Sequence, residues 1–382
     1  MDALARLKLL SDQMTLEPAE EYKHACTALN RRKQDLNVEP AQMPNGKNIL
    51  LLKTLLTSAC ERDCYYCPFR AGRDFRRATF KPDEFAQLFL SLVHARIAEG
   101  VFLSSGIAGS GIRSQDQLIA TAEILRIKYN FRGYIHLKIM PGAEKAQVEQ
   151  AMRLANRVSI NLEAPNSERL VRLAPHKLFK EELLRPLRWV DEIRRSTEPK
   201  HTWNGLWPST VTQFVAGGAD ESDLELLKTT NWLNENVHLQ RAYFSSFNPI
   251  PDTPLENKPA TNPLREHRLY QASFLLRDYG YDMEEIPFQT DGNLPLPVDP
   301  KLIWAQGNLK DKPVEINKAD RNLLLRIPGI GPKGADAIIK ARRDKKLEDI
   351  TILRKLGIVS LDRASPFLLF NGKRPIYQMS LI

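Results

Sequence analysis

At 382 residues, with 42% hydrophobic and 26% charged side chains, the chain is long enough for a large and a small domain, and its composition is neither disordered nor fibrous. Three of its four cysteines fall within eight residues, which argues against a disulfide framework and for a metal site in a reducing compartment; no long uncharged apolar run and no apolar leader at MDALARLKLL is seen, so a cytoplasmic protein without membrane contact is expected. A formal charge of +9 permits a polyanionic partner without demanding one.

Residues 1–45 read as a polar helical extension in which Arg31, Arg32 and Lys33 form a solvated basic face. From 46 to 286, short β-rich apolar runs alternate with helical periodicity, the pattern of a parallel α/β layer. Six strands are predicted, at 50–58, 101–105, 133–140, 157–163, 209–216 and 241–248, each followed by turn chemistry. Between them, Phe85, Leu88, Phe89 and Leu92 share one helix face, and Ser222 with Glu225 forms a capping box. Six strand–helix repeats make an α/β open sheet or partial barrel, with ligands at the carboxyl ends of the strands. Residues 287–313 concentrate proline and turn residues and read as a linker, leaving 314–382 as a small all-α domain.

Just past the first strand, TSACERDCYYCPFR gives Cys-x3-Cys-x2-Cys at Cys60, Cys64 and Cys67. Thiolates so spaced can converge on one soft metal centre, and three ligands leave a position open, as catalysis requires. A zinc knuckle completed by Cys26 or His24 is the structural alternative. On the fourth strand, RVSINLEAPN puts Ser159, Asn161 and Glu163 on one face by the period-two rule, and polar groups on a buried face need a ligand or each other. His136 on the third strand faces the interior, where a satisfied core histidine is the ordinary outcome.

The cysteine spacing resembles that of the radical S-adenosylmethionine (SAM) superfamily, which implies a partial (β/α)6 barrel, a [4Fe–4S] cluster and SAM. The resemblance further implies that Cys60, Cys64 and Cys67 bind three irons, that SAM chelates the fourth, and that Tyr66 lies near the adenine. It places Ser105 and Gly106 of FLSSGIAGSG at the SAM amino group, although the usual Gly-Gly-Glu is missing, and Ser159, Asn161 and Glu163 at the ribose and methionine. Gly217, followed by Gly218, would let backbone approach the adenine. The implied reaction is reductive cleavage of SAM to methionine and a 5′-deoxyadenosyl radical, fed by an electron donor such as flavodoxin or ferredoxin. No catalytic residue beyond the cluster ligands is assigned.

Residues 317–340 pair two apolar faces, Leu323, Leu324 and Ile327 with Ala335, Ile338 and Ile339, across a Pro-Gly-Ile-Gly turn: a helix-hairpin-helix. Gly329, Gly331, Lys333 and Gly334 are its candidate phosphate contacts, because freed N–H groups and a helix start welcome an anion. Residues 314–346 carry nine Lys or Arg against four Asp or Glu, and LRKLGIVSLDRA reads as a degenerate second hairpin. The hairpin resembles those of DNA binders, and the whole chain resembles a bacterial group of radical SAM proteins named for DNA modification or repair. That likeness implies a DNA substrate and a uracil-DNA-glycosylase-like partner. Two other readings stand beside it: a radical SAM enzyme modifying structured RNA, and a non-catalytic iron–sulfur DNA-binding protein.

Overall fold

The computed structural model describes residues 2–12, 36–43 and 46–375. They fall into two compact units, Met1–Glu221 with Trp232–Thr261, and Ser222–Asn231 with Asn262–Ile382.

The first unit holds a seven-stranded sheet in chain order: β1 (Val38–Gln42), β2 (Asn48–Leu55), β3 (Gly100–Ser104), β4 (Tyr134–Lys138), β5 (Arg157–Ser159), β6 (Ser209–Ala216) and β7 (Arg241–Ser246). β2 to β7 pair in parallel and correspond to the six predicted strands, in order and in place. They were readable because parallel strands covered on both faces become unbroken apolar runs: all five residues of β3 are buried.

β1 corrects the expectation for residues 1–45, which was helical throughout. It lies antiparallel to β2 at the edge of the sheet, the position where Pro40 can sit in a strand because its missing N–H has no ladder partner to disappoint. Its Glu39 meets the ammonium of the buried Lys53 on β2 at 3.0 Å. The helical part of the expectation holds at α1 (Ala3–Asp12), while His24, Cys26, Arg31, Arg32 and Lys33 lie outside the described residues.

Parallel strands need crossovers, and helices supply them. α2 (Pro82–His94) starts on a proline with Asp83 and Glu84 in its first turn and buries Phe85, Phe89 and Leu92. α3 (Gly111–Glu123) is capped by the Ser110 hydroxyl, which accepts from the N–H of Arg113. α4 (Lys145–Leu154), α5 (Ser167–Leu173) and α6 (Arg185–Ser196) follow β4 and β5. Beyond α3, the buried Arg126 donates to the carbonyls of Leu154, Phe131 and Gly133 and to Asn156, with its guanidinium 3.7 Å from the Trp203 ring centroid. One cation thus satisfies several loop carbonyls at the amino ends of the strands.

α7 (Asp223–Val237) begins with the predicted reciprocal cap: Ser222 N–H donates to Glu225, and the Glu225 N–H to the Ser222 hydroxyl. In the second unit α8 (Pro263–Tyr279) runs between an Asn262 cap and the left-handed Gly280. The stretch expected as linker contains a helix, α9 (Pro300–Asn308), because Asp299 accepts from Leu302 N–H and Pro300 stands at the first helical position, where proline starts helices rather than breaking them. α10 (Arg321–Leu325) and α11 (Pro332–Asp344) make one hairpin, α12 (Thr351–Lys355) and α13 (Leu361–Ala364) a second. The domain is not purely helical: β8 (Val314–Glu315) and β9 (Leu368–Leu369) pair in parallel across its ends. Leu324, Ile327, Ile330, Ala335, Ile338, Leu353, Ile358 and Leu361 form its core.

Candidate functional site

The cysteine loop leaves β2 at the carboxyl edge of the sheet and is irregular, so its backbone groups must find partners outside any ladder. They do so through side chains. The Thr57 hydroxyl meets that of Thr79 at 2.6 Å and accepts from Ala59 N–H; the Ser58 hydroxyl accepts from Ala78 N–H. Arg77 gathers the carbonyls of Ser58, Phe69, Arg70 and Arg73 around one guanidinium. Gly106 closes the other side. Its N–H donates to the Thr57 carbonyl at 2.7 Å, and a Cβ on it would stand 2.2 Å from the Ala59 carbonyl oxygen, a separation no side chain can occupy.

Cys64 is buried and Cys60 and Cys67 are half-buried. The Ile107 N–H points at the Cys60 sulfur (3.5 Å) and the Phe69 N–H at the Cys67 sulfur (3.4 Å). Burial pushes the Cys64 and Cys67 thiols up, and the neighbouring sulfurs push the same way. Lys177 is the countercharge. Burial alone would lower it, but Cys64 and Glu163 hold it protonated above its ordinary value; its ammonium lies 3.1 Å from Glu163, both side chains under a tenth exposed. Tyr66 is likewise pushed up by burial and by the Glu163 carboxylate, to which it is hydrogen-bonded.

A cavity opens beside this loop at the carboxyl ends of the strands. All three cysteines line it, together with Tyr66, Ser105, Gly106, Asn161 and Glu163. Two other candidates stand apart: Ser159 is buried within β5, and Gly217 lies in a turn where its N–H donates to Glu221. The regular strand of 157–163 ends at Ser159; Glu163 takes a left-handed φ of 65° but still bridges in parallel to Phe214 on β6 and lines the cavity. His136 packs at 4.4 Å from the Phe102 ring centroid, a core position. Two cavity residues went unassigned in the sequence: Lys138, two positions after His136 on the same strand face, and Lys177, which lies on no strand and gave no periodic signal.

The donor set suits an iron–sulfur cluster. One buried and two half-buried thiols that repel one another as thiolates, two backbone N–H groups aimed at sulfur and one buried ammonium are what a cationic cluster core with thiolate ligands needs. Among the described residues no three His, Cys, Asp or Glu side chains converge as for a single metal ion; a cluster asks for one cysteine per iron instead.

In the hairpin domain Gly329 takes φ 84° and Gly357 φ 83°, so the second turn repeats the first. A Cβ on Gly329 would come within 2.7 Å of the Ser360 carbonyl, and one on Gly334 within 3.0 Å of Ile358, so both glycines serve the packing of hairpin on hairpin. Gly331 stands at the N-cap before α11 and offers no side-chain cap, leaving first-turn N–H groups at a basic start where Lys333 is exposed. From α9, Lys301 donates to the Ile330 carbonyl at 2.6 Å and lies over the Tyr279 ring; burial pushes it down to about 7.

Comparison with curated proteins returned no match. Similar solved structures include HydG, a maturase of the [FeFe]-hydrogenase, at 10% identity and TM-score 0.45 over 59% of this chain and 49% of that one. Methylornithine synthase (PylB) aligns at 14% identity and TM-score 0.47 over 60% and 62%, and a radical SAM methyltransferase from Sphaerobacter thermophilus at 16% and 0.42 over 61% and 68%. The chain thus spans about half to three fifths of the length of HydG and PylB. The radical SAM superfamily profile matches residues 54–207, from the strand before the cysteines to the loop before β6, and a helix-hairpin-helix motif profile matches residues 310–369. The chain carries a domain of the radical SAM superfamily, whose enzymes use a [4Fe–4S] cluster and SAM, followed by a helix-hairpin-helix motif.

Proposed function

We propose that this protein is a radical SAM enzyme acting on nucleic acid, with DNA the favoured substrate. One observation carries the reading: a rigid three-cysteine loop opens on a cavity at the strand ends of a chain that also carries two phosphate-suited hairpins. Cys60, Cys64 and Cys67 would hold the cluster, and Tyr66, Asn161, Glu163 and the backbone at Ser105 and Gly106 would surround SAM. Bound there, the cluster and SAM would supply reductive cleavage of the sulfonium and hydrogen-atom abstraction from substrate.

The chain's own residues then have definite work. Arg77 and Gly106 fix the cysteine backbone so that the sulfurs are placed before any metal arrives. Lys177 keeps a positive charge against the sulfurs, and Glu163 keeps Lys177 in place. The hairpins would hold a phosphate backbone without reading its sequence, and the reacting nucleotide would have to be unpaired or flipped to enter the cavity. The uracil-DNA-glycosylase-like partner belongs to the same reading, as a protein that would meet the same DNA. The test is release of 5′-deoxyadenosine by anaerobically reconstituted protein with dithionite and SAM, with matched DNA and RNA in competition. Stimulation by DNA over RNA is expected; preference for RNA moves the substrate to structured RNA, and no product with either overturns the enzyme.

A further inference from the structure

The segment after the third cysteine, residues 69–77, reads FRAGRDFRR: four arginines and two phenylalanines against one acid, Asp74. Two of the arginines build the loop. Arg77 binds four backbone carbonyls, and Arg73 donates to the carbonyls of Pro251 (2.9 Å) and Pro68 (3.1 Å). Both guanidiniums lie over the Phe75 ring, at 4.2 Å and 5.5 Å from its centroid.

The other two have no such employment. Arg70 is half-buried with its guanidinium 5.9 Å from the Tyr65 ring centroid, and its Nε is buried with no hydrogen-bond partner among the described residues. Arg76 is exposed, and no described acid or carbonyl pairs with it. Arg70 is partly and Arg76 openly exposed to solvent, and no described group takes up the outer guanidinium nitrogens of either, so these are free to meet an acceptor from outside the protein. The place is informative: Pro68 and Phe69, immediately before Arg70, line the cavity beside the cysteines.

We infer that Arg70 and Arg76 form a phosphate clamp at the rim of the cavity, gripping the backbone of the strand whose nucleotide enters it, with Phe69 as a stacking surface for a base. Guanidinium suits a phosphodiester because its fork matches two oxygens at once, and arginine interleaved with aromatic rings is the pattern of single-strand binding. The inference rests on the nucleic-acid reading above and adds a second grip, independent of the hairpins.

The experiment uses the full chain, reconstituted with its cluster, and a fluorescein-labelled single-stranded 12-mer bearing 4-thiothymidine. The double variant Arg70→Gln with Arg76→Gln is expected to bind about tenfold more weakly and to lower the slope of log affinity against log salt by about two. Circular dichroism and iron content show whether it folds; if it does not, the exposed Arg76→Gln alone lowers the slope by about one. Photocrosslinks in the peptide holding residues 68–77 support the clamp. Crosslinks confined to residues 327–346, or variants that bind as wild type, overturn it and leave the proposed function standing. No binding by the wild-type protein to any oligonucleotide overturns both.

Discussion

The cysteine loop and the turns of the helical hairpins are both sharp, irregular segments, yet they are held in opposite ways. The loop is fixed by polar groups acting at a distance in sequence: Arg77 on four carbonyls, Thr57 on Thr79, and Gly106 pressed against Ala59. The hairpins are fixed by apolar packing of one repeat on another, Ile330 and Ala335 in a common core with Ile358 and Leu361. A polar anchorage places a few atoms precisely but fails when one contact is lost, whereas an apolar repeat spreads its stability over many contacts. Damage to the loop should therefore remove the cluster while the fold persists, and damage to a hairpin should weaken binding by degrees.

Gly106→Ala should have the largest effect. The added methyl cannot fit against the Ala59 carbonyl at 2.2 Å, so the loop must shift, and we expect iron incorporation to fall by most of its value with little change in far-ultraviolet circular dichroism. Normal cluster loading would show that the loop is less rigidly anchored than this comparison requires. Gly329→Ala comes next: a left-handed φ of 84° and a 2.7 Å approach to the Ser360 carbonyl should cost about 1–3 kcal/mol in thermal or denaturant unfolding of the hairpin domain and weaken oligonucleotide binding, with cluster content unchanged.

The last effect concerns pH. In the folded protein Lys301 loses its proton at about 7, while in the unfolded chain it keeps it to about 10.4. Between these values the unfolded state binds more protons, so this lysine makes stability rise with pH across that window and contributes no slope below it. Against Lys301→Met, the melting temperature of the wild type should rise by several degrees between about pH 6.5 and 9.5. A constant difference would show that Lys301 keeps its charge beside the hairpin.

What was legible in the sequence follows the same division. The parallel strands and the first hairpin announce themselves by local pattern, in runs such as GVFLS and in the Pro-Gly-Ile-Gly turn. The cysteine spacing, too, is local. β1 was hidden because Pro40 reads against a strand until the edge position is known, and α9 because Asp299-Pro300 serves equally as a linker or as a helix start. Lys177 could not have been found at all: it reaches Glu163 and the cysteines only through the path of the loop after α5. Ser159 and Asn161 seemed equivalent by alternation, but β5 ends between them and only Asn161 lines the cavity.

The most direct measurement is the electron paramagnetic resonance spectrum of the dithionite-reduced, reconstituted protein with and without SAM. Three cysteine ligands predict a signal that changes when SAM is added and that is lost in Cys64→Ser. A reduced cluster whose spectrum is the same in the presence and absence of SAM would mean that every iron is already held by the protein, and would contradict the account.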